Sequence, residues 1–497
     1  MNGHGKSDSS VVPKKLSNKT ADEEAERVEG RGLAKGNPQE ERAFRTQGRE
    51  DAKTGLERVR EAAEGDRRQK FTALLHHVYD VERLRAAYEG LNPKAAAGID
   101  GETWKHYGER LEENLQELSE KLRRGAYRAS PVKRAFIAKA NGGQRPLGVP
   151  VLEDKIVQRA VVEVLNAIYE AEFVGFSYGF RPERRAHDAL DALATGITTR
   201  KVSFVLDADI RSFFDTLDRG WLVKFLEHRV GDGRVIRLVK KWLAAGVLDG
   251  DEWKATEAGT VQGGSISPLL ANVYLHYVFD TWVGRWRKTQ AEGDVIVVRF
   301  ADDFVVGFEH RSQAEKFLTD LRERFRRFGL ELHAEKTRLI EFGRFAAENR
   351  AKRGEGKPET FAFLGFTHIC GKTRSGRFTV IRQTMRQRLN AKLKAVGAEL
   401  KRRMHEGIPA VGAYLRAVMR GHMNYYAVPF NIRAIQRFRQ RLVLLWKQVL
   451  GRRSQTASVT WERMKALHER WIPPARICHP YPTQRLLVRT QGRSRMR

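Results

Sequence analysis

The stretch Val295-Ile-Val-Val-Arg-Phe-Ala-Asp-Asp-Phe-Val-Val-Gly-Phe308 sets two neighbouring carboxylates, Asp302 and Asp303, between two runs of β-branched and aromatic residues. Val and Ile are stiff at χ1 and suit a pleated, half-buried surface, so the flanks read as strands and the aspartates as the tip of a hairpin. An Asp-Asp turn can be structural, because Asp tolerates turn geometry and bonds its own backbone. Here, though, the neighbours are Ala301 and Phe304. Carboxylates packed beside apolar side chains repel each other and raise one another's pKa unless a cation neutralises them. Taken alone, the segment fits both a metal site and a tight turn.

A second carboxylate strand lies upstream in "KVSFVLDADIRSFFDTLD", residues 201–218. Period-2 alternation puts Phe204, Leu206 and Ala208 on one face, and Val205, Asp207 and Asp209 on the other. A strand breaking after Asp209 delivers that carboxylate to the end of a sheet. Asp207, Asp215 and Asp218 compete for the same role, and Asp215 and Asp218 equally suit capping of a following helix. If Asp209 and Asp302 meet, their cluster can hold two Mg²⁺ ions. Ions about 4 Å apart stabilise the attacking and leaving oxygens of an in-line phosphoryl transfer.

Helix signals surround the hairpin. "SQAEKFLTDLRERFRRFG" offers a capping box, Ser312 with Glu315, an apolar stripe at Phe317, Leu318, Leu321 and Phe325, and a stop at Gly329. "SPLLANVYLHYVFDTWVGRW" starts with Pro268 in its first turn and leads into the hairpin.

The 497 residues hold 91 Lys and Arg against 61 Asp and Glu, a net charge of +30, which calls for a polyanionic partner; nucleic acid is favoured over an acidic membrane. No apolar run reaches the roughly 18 to 20 residues that span a bilayer, and "MNGHGKSDSS" lacks a signal-peptide core, so a cytoplasmic protein is expected. Cys370 and Cys478 stand alone and read as ordinary thiols. Residues 1–65, polar and nearly free of aromatics, read as a flexible extension. Strands and helices then alternate over residues 66–382, an α+β pattern. From Met385 onward four acidic side chains (Glu399, Glu406, Glu462, Glu469) face 25 Lys and Arg in segments of helical period. That half is a basic helical module over residues 383–478, followed by a basic tail, 479–497. Its Tyr414, Tyr425, Tyr426, Trp446, Trp461 and Trp471 divide between bundle core and platforms for unstacked bases.

Several segments together resemble the group II intron-encoded reverse transcriptase/maturase family. Phe300-Ala-Asp-Asp303 resembles its Tyr-x-Asp-Asp box, and Asp209 with "IRSFFD" its first catalytic block. "GTVQGGSISPLLANVYLH", "AAAGIDG", "RPLGVPVLEDKIVQRAV", "FSYGFRPERRAHDAL", "LHAEKTRLIEFG" and "FLGF" are similar to further blocks, in the family's order, while "GHMNYYAVPFN" and "WIPPARICHPYP" look like its thumb, the maturase or X domain. The resemblance implies right-hand polymerase fingers and palm with a ferredoxin-like palm sheet, then an α-helical thumb. It implies Asp209 and Asp302 as the main ligands of two Mg²⁺ ions, supported by Asp303. It also implies Lys139 and Arg145 over the triphosphate of a deoxynucleotide, Gln262 beside it, and Phe214 as a gate against a ribose 2′-OH. Lys336 is implied as proton donor to the leaving pyrophosphate. Template–primer nucleic acid and a group II intron RNA are the implied partners. Phe300 and Val261 depart from the usual Tyr and Pro but stay apolar. With no His-Asn-His block in view, the DNA endonuclease domain of some relatives is expected to be absent. The alternative is an RNA-binding splicing cofactor without polymerase activity.

Overall fold

The computed structural model describes residues 55–138, 144–249, 252–254, 263–453 and 459–485. Residues 55–65, expected within the flexible extension, instead form a helix. Leu56, Val59 and Ala62 pack against the main core and Ala63 is fully buried in it; this helical stripe was masked by the charges between its members.

In chain order the strands are β1 (Val132–Ala138), β2 (Gln144–Val149), β3 (Phe204–Ala208), β4 (Val247–Asp249) and β5 (Glu252–Lys254). They continue with β6 (Val295–Phe300), β7 (Asp303–Phe308), β8 (Arg338–Glu341), β9 (Phe361–Phe363), β10 (Phe366–Lys372) and β11 (Phe378–Thr384). The central sheet has the order β6-β7-β3-β8 with every neighbour antiparallel. Helices separate β3 from β6, β6 and β7 form a hairpin, and the helix Arg311–Arg327 leads to β8. This βαββαβ connectivity is that of a ferredoxin-like sheet. It is covered on both faces: Leu206, Ala208, Val297, Phe304 and Val306 join the main core, while Val205, Val298, Val305 and Ile340 join a second core. The face assignment read from the alternation of β3 therefore holds, and β7 is buried along its length except at Asp303.

Two local expectations change. The helix Arg311–Arg327 has His310 at its N-cap and no side-chain cap bond. The short connection from β7 already winds Arg311 into the first turn, so Ser312 lies inside the helix and Glu315 accepts from Arg311 Nε at 2.9 Å instead of closing a capping box. Its stop at Gly329 is present, with φ at +70°. The helix Ser267–Leu275 does not run on regularly either; it widens into a π-helical turn, His276–Asp280, before Thr281–Thr289. Asp218 caps the helix Arg219–Arg229 by accepting from Trp221 N at 2.8 Å, whereas Asp215 sits in the short helix Phe213–Thr216.

The basic half forms its own helical core. Helices Arg386–Arg402, Ile408–Tyr426, Ile432–Gly451 and Trp461–Trp471 pack around Leu400, Leu415, Met419, Phe438 and Trp446. Trp461 is 58% exposed and lies under Lys447 Nζ, 4.8 Å from the ring centre. The boundary drawn at residue 382 falls inside β11, whose pairing with β10 runs to Thr384. The tail drawn from 479 also begins too early: His479 stacks on His187 at 4.1 Å between ring centres and bonds the Asn424 carbonyl at 2.6 Å. Sequence reading missed this because a lone histidine carries no periodicity. Among the described residues no helix is long and apolar enough to cross a membrane.

Candidate active site

Strand register brings the two acidic segments together. β3 pairs with β7 up to Ala208 opposite Phe304, and β6 pairs with β7 up to Phe300 opposite Asp303. Asp209 follows the last pair of β3, across from Asp303, and Ala301-Asp302 form the two-residue turn. Ala301 is buried and takes φ of +57°, a left-handed conformation that a residue with a Cβ adopts only under constraint. The segment before β8 closes the third side: His333 N donates to the Asp209 carbonyl at 2.8 Å, and Lys336 Nζ reaches Asp209 Oδ2 at 2.5 Å.

The carboxylates feel one another. Asp303 has an exposed edge but stands in a crowded recess; desolvation there, followed by the charges of Asp302, Asp209 and Asp207, pushes its pKa up to about 7, with Lys336 opposing. Burial likewise raises Asp207 to about 6, against the pull of Arg338, whose Nη2 is 3.7 Å from it. Burial and the other carboxylates thus outweigh the one lysine that opposes them at Asp303. Hard carboxylate oxygens on adjoining strand ends suit Mg²⁺ in chemistry. Among the described residues, however, no three His, Cys, Asp or Glu side chains converge closely enough to hold an ion as they stand, and Asp209 is engaged by Lys336 instead.

Of the other expected residues, Phe214 lies half-buried beside Phe213, ring centres 5.3 Å apart, directly after the left-handed Ser212. β1 and β2 form the expected hairpin, in which Arg145 pairs through its backbone with Ile137. Lys139 at its tip and Gln262 lie outside the described residues. Gly263, next to Gln262, takes φ of +118°, and a Cβ there would meet the Gly148 carbonyl oxygen at 2.4 Å, so this loop backs directly onto β2. The "FLGF" segment is a tight turn between β9 and β10 with Leu364 at φ of +47°; Phe366 is core, and Tyr425 of the helical module donates to the Leu364 carbonyl at 2.9 Å.

Sequence reading passed over the residues that hold the turn. Arg299 is fully buried and forks Asp280 through Nε at 2.7 Å and Nη2 at 2.6 Å. Its remaining donors reach Asn272 Oδ1 at 2.9 Å, the Ala301 carbonyl at 2.9 Å and Ser177 Oγ at 2.7 Å. Gly179 approaches from the other side: a Cβ on it would stand 2.4 Å from Ala301 N. The available signal was an Arg inside an apolar strand together with Asn272 and Asp280 inside an apolar helix, because buried polar groups in such settings are paired.

Residues 137–368 match the reverse transcriptase (RNA-dependent DNA polymerase) family. Protein YkfC of Escherichia coli strain K12 is 36% identical over 237 residues, 42% of this chain and 62% of that protein. The group II intron-encoded protein LtrA of Lactococcus lactis subsp. cremoris is 34% identical over 222 residues, 44% of this chain and 37% of that protein. The putative COX1/OXI3 intron 1 protein of Saccharomyces cerevisiae is 24% identical over 447 residues, 76% of this chain and 52% of that protein. The chain thus spans less than two thirds of the length of each of these relatives. The matched block contains Asp209, Asp302, Asp303 and Lys336, so residues 137–368 are similar to reverse transcriptases and the chain is similar, over part of its length, to group II intron-encoded proteins.

Proposed function

We propose that the chain is an RNA-directed DNA polymerase that also binds a group II intron RNA and assists its splicing, in the cytoplasm. The observation that carries this reading is the carboxylate cluster at the ends of β3 and the β6–β7 hairpin, where burial and then the neighbouring carboxylates push Asp303 up to about 7. Such a cluster calls for hard cations, and two Mg²⁺ ions bound there supply the charge that stabilises the attacking and leaving oxygens of nucleotidyl transfer. Asp209 and Asp302 are the proposed main ligands, with Asp303 supporting. Lys336, which bonds Asp209, is the proposed proton donor to the leaving pyrophosphate.

In this reading, the fingers and palm run from the helix at residues 55–65 to the end of β11 at Thr384, and the helices from Arg386 to Trp471 are the thumb and maturase region. Lys139 and Arg145 hold the triphosphate, Gln262 touches the deoxynucleotide, and Phe214 excludes a 2′-OH. The net charge of +30 and the exposed Trp461 beside Lys447 suit a phosphate backbone with unstacked bases.

The test is extension of a DNA primer on an RNA template with Mg²⁺ and deoxynucleotides, comparing wild type with Asp302→Ala plus Asp303→Ala. Extension by the wild type alone supports the reading. If neither protein extends while both bind structured RNA at constant salt, the polymerase assignment falls and a splicing cofactor takes its place.

A further inference from the structure

The carboxylates of the hairpin stand on a turn whose geometry is not self-supporting. Ala301 is left-handed and buried, and its carbonyl shares one rigid peptide plane with Asp302 N. That carbonyl accepts a hydrogen bond from Arg299 Nη1 at 2.9 Å. A guanidinium has five N–H donors, and all five of Arg299 are used: two on Asp280, one each on Asn272, Ala301 and Ser177. Arg299 and Asp280 side chains are both wholly buried, so neither can swing out without leaving a charge unpaired in the interior. Backbone bonds add to the clamp, with Arg299 N donating to Phe176 O at 2.9 Å and Tyr178 N to Arg299 O at 2.8 Å.

We propose that Arg299, set by Asp280, Asn272 and Ser177, is a positioning residue for the Asp302–Asp303 turn: it fixes the Ala301 carbonyl and so the approach of the Asp302 carboxylate to a divalent cation. The kinetic part of this inference rests on the polymerase reading above. The chemistry is specific to a planar fork. A lysine at the same place keeps the charge opposite Asp280 but presents three donors from one point, and cannot serve the Asp280 fork, Asn272, Ser177 and the Ala301 carbonyl together. Removing groups that orient metal ligands from behind typically costs about 10- to 100-fold in metal affinity or activity.

The experiment compares wild type, Arg299→Lys, and the double variant Arg299→Met with Asp280→Leu, which removes both buried charges and therefore keeps the fold where a single loss would not. Folding is followed by thermal unfolding, metal binding by Mn²⁺ calorimetry, and turnover by primer extension over a Mg²⁺ series. Expected for both variants is a Mn²⁺ affinity about tenfold weaker and a Mg²⁺ midpoint raised to match, with the deoxynucleotide KM unchanged. A purely structural role would lower the active fraction and leave the Mn²⁺ affinity and Mg²⁺ midpoint of the folded protein at wild-type values; that result overturns the inference, as does failure of both variants to fold. If the wild type binds Mn²⁺ but extends no primer, and Arg299→Lys still weakens Mn²⁺ binding, the polymerase reading fails and the positioning role stands.

Discussion

Lys336 Nζ lies 2.5 Å from Asp209 Oδ2, an ion pair joining residues 127 positions apart in the chain and linking the end of β3 to the segment before β8. The lysine is mostly exposed, so the pair adds little to stability. In the proposed reaction its value is chemical, an ammonium beside the acidic cluster where the phosphates would bind. Lys336→Gln is expected to leave the melting temperature within a few degrees and to lower kcat by about 10²-fold, the scale of one general acid. Single-turnover primer extension reads the outcome; a wild-type kcat reduces Lys336 to a counter-ion.

The raised carboxyl groups predict a pH dependence. Asp303 and Asp207 sit at about 7 and about 6 in the folded protein, above the ordinary Asp value near 3.9. The folded state therefore binds more protons than the unfolded chain between about pH 4 and 7, and stability falls as pH rises through that window. Mg²⁺ competes with those protons, so its stabilisation should grow over the same interval. Thermal unfolding from about pH 5 to 8, with and without Mg²⁺, checks both signs. Asp303→Asn should flatten the metal-free profile.

Phe214 is half-buried at the margin of the main core, edge-on to Phe213. Phe214→Val is thus expected to fold normally and to raise ribonucleotide incorporation relative to deoxynucleotide by at least about tenfold, equivalent to about 1.4 kcal/mol of discrimination. Competition assays with matched ribo- and deoxynucleotides measure the ratio, and an unchanged ratio removes the gate assignment.

Gly179 leaves no room for a side chain, because its Cβ would meet the Ala301 nitrogen at 2.4 Å. Backbone is on the receiving side, so the turn must move. Gly179→Ala is expected to cut primer extension by about tenfold or more, with a loss of stability of about 1–3 kcal/mol from overpacking. Gly356→Ala, like Gly179 without a positive φ but with nothing within 4 Å of its Cβ, is the control for a glycine-to-alanine change that displaces no neighbour.

The two acidic segments were legible because their chemistry is local. A β-branched run on each side of Asp302-Asp303, and period-2 alternation through Asp207 and Asp209, announce strands and their faces whatever packs on them. The helix stop at Gly329 and the cap at Asp218 were readable for the same reason. The false capping box at Ser312 shows the limit: a motif names possible bonds, while the length of the connection from β7 decides which residue enters the helix first. The helix at 55–65 escaped notice because its four apolar contacts are separated by charges and gain meaning only from the core they meet.

By itself the sequence marked the candidate acidic residues and placed their two segments on strands, since strand and helix periodicities are written into neighbouring residues. Only the tertiary structure decided which carboxylates face each other, that Lys336 reaches Asp209, and that Arg299, anchored on Asp280, Asn272 and Ser177, gives its remaining donor to the left-handed turn. Those relationships depend on register between strands far apart in the chain and on desolvation inside a shared core. Neither quantity belongs to any one segment.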